Sequence, residues 1–476
     1  MTVAPVFAVV GHPNKGKSSV VATLSQNDAI AIALEPGTTR HSQAYPLRVD
    51  GEVLYTLVDT PGFQRPRQVL EWLEAHSLSA SDRAETVAAF VHQHRDDPRF
   101  HDECELLTPL TEGAGVIYVV DGSVPYSAEN ESEMTILRWT GQPSLALINS
   151  IGPDDYSEAW HSALGQFFQV VRKFNAVSAP FNQHLSLLKA FGQLEPNWEG
   201  VLDKAVLHLS AQRAQRKEQA ARLIATALED MMGWQEQRTL TAGQLSGTSR
   251  DTLAADLRQR WYRHQRQREQ SLRLGIEQLY QHHRIQRQEA ELTWHSEHDL
   301  FSDSSRQTWG VSKAYLATAG FGAGALGGVG IDAVTLGTSL GTGALVGGLL
   351  GAAGSYFYGD RLALPVLRIG ALRNGLQTAR FGPVQDSQFG YVVLGRAVDH
   401  WWHVSHRNHA GQDLLDLEPT DRHWLEDLEP EYRHEIQRAL TRCRKQRTLS
   451  SDHRHRLSVA VEAALDTYGQ WRQSRG

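Results

Sequence analysis

Cysteine is scarce in this chain, with two residues, Cys104 and Cys443, among 476. Two cysteines so far apart make no disulfide framework, and neither sits at a zinc-like spacing, so the composition suits a reducing cytoplasm. A basic surplus is also missing. The formal net charge of −7 argues against nucleic acid as a general partner and leaves room only for a local stripe. The basic run 258–273 is interrupted by glutamine and glutamate, as on a solvated helix face. No basic region precedes the first apolar run, residues 6–10, so that run is expected to be a core strand and not a secretion signal. The chain is too long for one compact core and predicts two or three domains.

The segment directly after the first apolar run is distinctive. Gly11-His12-Pro13-Asn14-Lys15-Gly16-Lys17-Ser18 lies between the expected strand and residues 19–24, which can open a helix. In the spacing G-x-x-x-x-G-K-S, glycines let backbone N–H groups turn around phosphate oxygens, and the helix N-terminus adds its dipole. Gly11, Asn14, Lys15, Gly16, Lys17, Ser18 and Ser19 are therefore candidate phosphate-binding residues. Lys17 would reach the terminal phosphates and Ser18 would ligate magnesium.

Farther on, Glu35-Pro36-Gly37-Thr38-Thr39-Arg40 is polar and turn-forming, a candidate switch in which a threonine offers its hydroxyl to magnesium and its N–H to the last phosphate. Residues 44–49 and 53–58 read as a hairpin closed by Asp50-Gly51. The second strand ends in Asp59-Thr60-Pro61-Gly62. Alone, that tetrapeptide is an ordinary turn; in this order after Lys17, Asp59 can hold magnesium through water and Gly62 can bring its N–H to the terminal phosphate.

These three motifs together resemble the GTPase branch that contains Era, TrmE and EngA, over roughly the first 180 residues. The resemblance implies an α/β fold, a mostly parallel sheet flanked by helices, with GTP and GDP as ligands, magnesium as cofactor, and GTP hydrolysis as the activity. It selects Thr39 as the magnesium-contacting threonine, with Thr38 as the alternative, and makes Lys17, Thr39 and Gly62 the catalytic set. Phe63 stands where Ras-like enzymes place a glutamine that orients water. Some members of the branch instead recruit potassium through the phosphate-loop asparagine, here Asn14, which would neutralise charge on the leaving phosphoryl group. Potassium-stimulated hydrolysis is therefore expected.

The base-recognition motif departs from the family. The expected strand 143–148 leads into Asn149-Ser150-Ile151-Gly152, where the family writes Asn-Lys-x-Asp. The missing aspartate pairs with guanine through two hydrogen bonds, worth roughly 1–3 kcal/mol of discrimination by analogy with base-edge readout. Asp154 or Asp155 is the candidate replacement; without one, adenine nucleotide competes. Residues 174–177 read as the next strand, and Ser178-Ala179 resembles the Ser-Ala loop at the base.

Between Gly62 and the buried run 116–120, residues 68–76 and 80–94 show helical apolar spacing, as at Ala84, Val87, Ala88 and Val91. The expected organisation is a G domain over 1–195 with this helical insertion at about 64–112, and amphipathic helices over 196–310. A Gly-rich apolar hairpin is expected over 311–360, then a mostly helical region over 361–476. Val206, Leu209, Leu223, Ala227 and Met231 form one helical face, and Leu253, Leu257, Trp261, Leu272, Ile276 and Leu279 another.

Charge is almost absent from residues 314–359, where Asp332 stands alone while glycine recurs at 320, 324, 328, 343, 347 and 351. Small residues every fourth position let helices pack closely in lipid, and each half approaches the roughly 20 residues that cross a bilayer. Lys313 before it and Arg361, Arg368 and Arg373 after it suit a hairpin with both ends cytoplasmic. A buried Gly/Ala-rich helical pair is the competing reading. Beyond it, residues 389–394 read as a short strand or buried run. Residues 399–409 carry histidine every third position, a spacing that drifts around a helix and suits a wet amphipathic helix better than a metal site. Residues 421–445 and 452–471 read as two closing helices.

The whole chain resembles a bacterial group of Era-like GTPases with a C-terminal domain of unknown function containing a Gly-rich apolar segment. That resemblance suggests a bacterial protein and assigns no cellular role. The nucleotide site and the apolar segment together are read as a nucleotide-dependent switch in the cytoplasm at the inner membrane, with a membrane lipid or membrane protein as partner, and the likeness to potassium-dependent relatives implies a homodimer across the nucleotide face. Its rivals are a dynamin-like or mitofusin-like membrane-remodelling machine and a soluble ribosome-assembly GTPase. No KH module with its Gly-x-x-Gly loop supports the last.

Overall fold

The computed structural model describes residues 4–25, 41–49, 51–176, 179, 181–241, 244, 250–280, 365–371, 376–406 and 424–474. The chain divides into two units, Met1–Arg213 with His406–Asp413, and Ala214–Ser405 with Leu414–Gly476.

The first unit is built on strands β1 (Val6–Val10), β2 (Gln43–Val49), β3 (Glu52–Asp59), β4 (Gly115–Asp121), β5 (Ser144–Asn149) and β6 (Val170–Lys173). Their order across the sheet is β2-β3-β1-β4-β5-β6. Only β2 runs antiparallel, joined to β3 by a tight turn with Gly51 at φ +86°; the other pairs are parallel. Because side chains alternate along a strand, β1 feeds two cores. Phe7 and Val9 pack with Val20 and Val21 of α1 (Lys17–Ser25) and Phe191 of α7 (Phe181–Leu194). Ala8 and Val10 join the opposite core with Phe63, Leu73 and Phe90. The last strand lies earlier than the expected 174–177. Val170 and Val171 pair with β5, while Phe174 comes after the strand, buried, its N–H donating to the Ile148 carbonyl at 2.9 Å. An edge strand of four residues with Arg172 and Lys173 exposed has little apolar signature.

Three helices stand between β3 and β4: α2 (Pro66–His76), α3 (Arg83–His94) and α4 (His101–Thr111). The first two match the apolar spacing; α4 begins with His101, Asp102 and Glu103 and contains Pro109, so its pattern is masked. Val69, Leu73, Val87, Phe90, Leu106 and Leu110 are fully buried in one cluster, which makes the insertion part of the core. Further helices of this unit are α5 (Ala128–Trp139), α6 (Ser157–Leu164) and the start of α8 (Pro196–Gly233).

The second unit combines helices with a small antiparallel sheet that the sequence did not suggest. Strands β7 (Glu236–Thr241), β8 (Leu367–Ala371) and β9 (Leu376–Phe381) lie in the order β7-β9-β8. Around them are the remainder of α8, α9 (Arg250–Leu279), α10 (Ser387–His406), α11 (Trp424–Asp427), α12 (Pro430–Arg444) and α13 (Ser451–Gln473). Residues 389–394 are helical, inside α10, and not a strand; a continuous apolar run does not separate the two by periodicity. Nor is the histidine–tryptophan stretch a wet face up to residue 404: Asp399, His400 and Val404 are fully buried and the Trp401 indole donates to the Tyr280 hydroxyl at 2.9 Å. Burial alone would raise the Asp399 pKa, but hydrogen bonds from His403, Tyr468 and Arg472 outweigh it and hold the carboxyl below its usual range.

Among the described residues, no helix is long and apolar enough to cross a membrane. The Gly-rich segment 314–359 lies outside the described residues.

Candidate functional site

The loop from β1 to α1 is shaped by three residues at positive φ: Gly11 at +142°, Asn14 at +60° and Gly16 at +80°. Both glycines are demanded by space as well. A Cβ on Gly11 would stand 2.4 Å from the Val119 carbonyl oxygen, and one on Gly16 2.4 Å from Nδ2 of Asn149. Gly62 belongs to the same cradle, since a Cβ there would lie 2.5 Å from the Pro13 nitrogen. The loop and the segment after β3 are thus in backbone contact, and the Phe63 N–H donates to the Gly11 carbonyl at 3.3 Å.

Lys17 opens α1 with its amine inside this loop, donating to the His12 carbonyl at 3.0 Å. Burial pulls its pKa down to about 8, against the opposing attraction of Asp59 and Glu133. Ser18 donates from Oγ to Oδ2 of Asp59 at 2.7 Å, and that carboxylate is 1% exposed at the end of β3. A hydroxyl and a buried carboxylate that close together are hard oxygen donors on one side of a phosphate loop, a set that fits magnesium. Ser19 is next, half-buried, and Asn14 is exposed at the loop's crest. Thr38, Thr39 and Ser178 lie outside the described residues.

On the base side, both ends of the Asn149 amide are committed to backbone. Nδ2 donates to the Lys15 carbonyl at 3.2 Å, and Oδ1 accepts from the Ala176 N–H at 3.1 Å. Asn149 therefore ties the phosphate loop to the segment that leads to Ala179, whose N–H donates to the Asn175 carbonyl at 2.7 Å. Asp155, two residues before α6 begins, accepts from the Ser157 N–H at 2.8 Å. Asp154 is exposed beside it.

Several groups around the loop escaped sequence reasoning. Lys15 pairs with Asp121, 3.7 Å away at the end of β4. The strand-ending aspartate there, placed like Asp59, was a readable signal. Glu133 of α5 is fully buried, bonded to His12 Nδ1 at 2.9 Å and to the Tyr118 hydroxyl at 2.7 Å. Glu103 of α4, also fully buried, accepts from the N–H groups of Gln64 and Arg65 at 2.9 and 2.6 Å. Nothing local in the sequence marks either glutamate.

Residues 161–465, well over half of the chain, match the family described as "Domain of unknown function (DUF3482)". The chain belongs to the DUF3482 family. Residues 6–149 of this DUF3482 chain match a second family, described as "50S ribosome-binding GTPase". With the strand order and phosphate loop just described, that match makes the first unit a P-loop GTPase domain of the Der type, succeeded by a largely helical region. Curated relatives include the GTPase Der of Mycoplasma pneumoniae, 29% identical over 30% of this chain and 26% of that protein. The GTPase Der of Halorhodospira halophila is 43% identical over 17% and 18%, and that of Aromatoleum aromaticum is 26% identical over 46% and 43%. The DUF3482 chain thus spans less than half the length of these relatives. A solved structure of Era in complex with MgGDPNP and nucleotides 1506-1542 of 16S ribosomal RNA is 16% identical over 40% of this chain and 57% of that one. Its TM-score is 0.28, too low to bear on this chain.

Proposed function

We propose that this protein binds GTP at the Gly11–Ser18 loop and hydrolyses it to GDP and phosphate as a nucleotide-dependent switch. The observation that carries the reading is the buried Lys17 amine inside a loop whose two glycines take positive φ and leave no room for a Cβ. Lys17 and the loop N–H groups hold the β- and γ-phosphates; Ser18 and Asp59, with Thr39 or Thr38, hold magnesium; Gly62 offers its N–H to the γ-phosphate. Magnesium, when bound, neutralises charge that builds on the phosphate oxygens. Asn14, exposed at the loop's crest, is the residue that would hold potassium, in place of the glutamine that Phe63 replaces. Asn149, Ala179 and Asp154 are assigned to the base side, and Ser178 is assigned to it from the sequence motif; with Asp155 bonded to the Ser157 N–H, Asp154 is the remaining carboxylate for guanine.

The test is phosphate release by the full chain with magnesium, from GTP and from ATP, in potassium and in sodium. GTP turnover that is faster in potassium is expected. No release from any purine triphosphate overturns the reading, and equal rates in the two salts remove the potassium part. Because the base motif is altered, the preference for GTP over ATP is expected to be weak, lowered by about tenfold or more for one lost bidentate pair.

The switch is proposed to act at the inner membrane through residues 314–359, a part of the reading supported by sequence alone. Fractionation of the full chain and of a version lacking 314–359 decides it. Membrane recovery of the full chain, lost on deletion, is expected; two soluble, monodisperse proteins without detergent would remove the membrane.

A further inference from the structure

Away from the phosphate loop, three metal-ligating side chains of the first unit converge. His41 immediately succeeds the 35–40 stretch read as a switch, and His101 and Glu105 stand four residues apart on one face of α4. One donor atom from each lies within 4.8 Å of the others. We propose that His41, His101 and Glu105 bind a divalent transition-metal ion of the zinc class.

Two imidazoles and one carboxylate are a common donor set for such an ion, with a fourth position left to water. Its ligand atoms stand roughly 3.5 Å apart around a tetrahedral centre. Closing the present triangle asks about 1 Å of side-chain movement, within reach of His41, whose side chain is 73% exposed. The carboxylate is already oriented. Glu105 Oε2 accepts from the Ser42 N–H at 2.9 Å, and the Ser42 hydroxyl donates to the Glu105 backbone carbonyl at 2.8 Å. That leaves Oε1 facing His41 Nδ1 at 3.7 Å, too long for a hydrogen bond. The second ring stands edge-on, with centroids 5.3 Å apart. A simple histidine–glutamate ion pair would need one imidazole and would close to bonding distance. Two imidazoles around one carboxylate, held open, suit an ion that takes both rings in their neutral form.

The position gives the site a consequence. Through Glu103, α4 already holds the N–H groups of Gln64 and Arg65, just beyond Gly62. An ion on Glu105 and His101 fastens residue 41 to the same helix, so one element grips the segments next to both switches. The metal site itself does not depend on the nucleotide reading.

Cobalt(II) is the probe, because its visible absorption reports histidine and carboxylate ligation. The full chain is titrated with Co2+ in excess magnesium, then with Zn2+ as competitor, beside His41→Ala, His101→Ala and Glu105→Gln. The wild type is expected to bind one equivalent that Zn2+ displaces and that each variant binds on the order of 100-fold more weakly, since even second-sphere losses cost 10–100-fold. His41 is exposed, so its variant tests the site even if the substitutions on α4 unfold the helix. Absence of a cobalt spectrum in the wild type, or equal affinity in wild type and His41→Ala, overturns the proposal.

Discussion

Lys17→Ala is expected to lower GTP hydrolysis on the order of 100- to 1,000-fold, the range found when one preorganised charge-stabilising donor is removed from an active site. Its amine lies inside the loop, at 3.0 Å from the His12 carbonyl, and the residue is 7% exposed. The fold should tolerate the change, because α1 gains a better helix former and loses a buried charge. A variant with wild-type turnover would remove the phosphate loop from the mechanism. The same amine supplies a pH signature. Its pKa near 8, set by burial, means that above pH 8 much of it is neutral in the free protein. A polyphosphate favours the charged form and raises that pKa. Binding of GTP at pH 8.5 should therefore take up a proton that binding at pH 7 does not, read by calorimetry in two buffers of different ionisation heat. For stability the sign runs the other way. The buried charge costs the folded state in full below pH 8, and the cost is relieved as pH rises from 8 toward the ordinary lysine value of 10.5.

Gly11→Ala should be the most damaging single methyl group in the first unit. Its φ of +142° is strained for any L side chain, and the new Cβ would stand 2.4 Å from the Val119 carbonyl oxygen in the centre of the sheet. Backbone strain of about 1–3 kcal/mol adds to overpacking of about 1–3 kcal/mol. The melting transition of the first unit is expected to fall by about 10 °C, measured by circular dichroism or limited proteolysis. Gly113→Ala separates the two causes. Gly113 sits at φ +100° with nothing within 4 Å of the added Cβ, so only strain remains and the fall should be a third to a half as large, roughly 3–5 °C. Equal melting points for the two variants would mean that the Val119 contact contributes nothing.

Local features were the ones legible in the sequence. The phosphate loop spans eight residues whose glycine spacing, preceding apolar run and succeeding helix lie side by side in the chain, so its course from β1 to α1 comes from the order of residues alone. The hairpin of β2 and β3 is equally local, its turn closed by Gly51. The parallel core strands are continuous apolar runs because helices cover both faces. By contrast, Glu103 and Glu133 became visible only when tertiary structure put one against the N–H groups of Gln64 and Arg65 and the other against His12. Asn149 lies 134 residues from the loop carbonyl it bonds. In the second unit, β7 pairs with β9 across more than a hundred residues, and short polar strands such as Glu236–Thr241 carry little signal until a partner completes their hydrogen bonds. The convergence of His41 with His101 and Glu105 is of the same kind. Sequence determined the phosphate cradle, because backbone conformation there depends on near neighbours. Tertiary structure alone decided that Glu133 meets His12, that Glu103 meets Gln64 and Arg65, and which side chains meet around α4, because those pairings arise only when distant segments bury a common core.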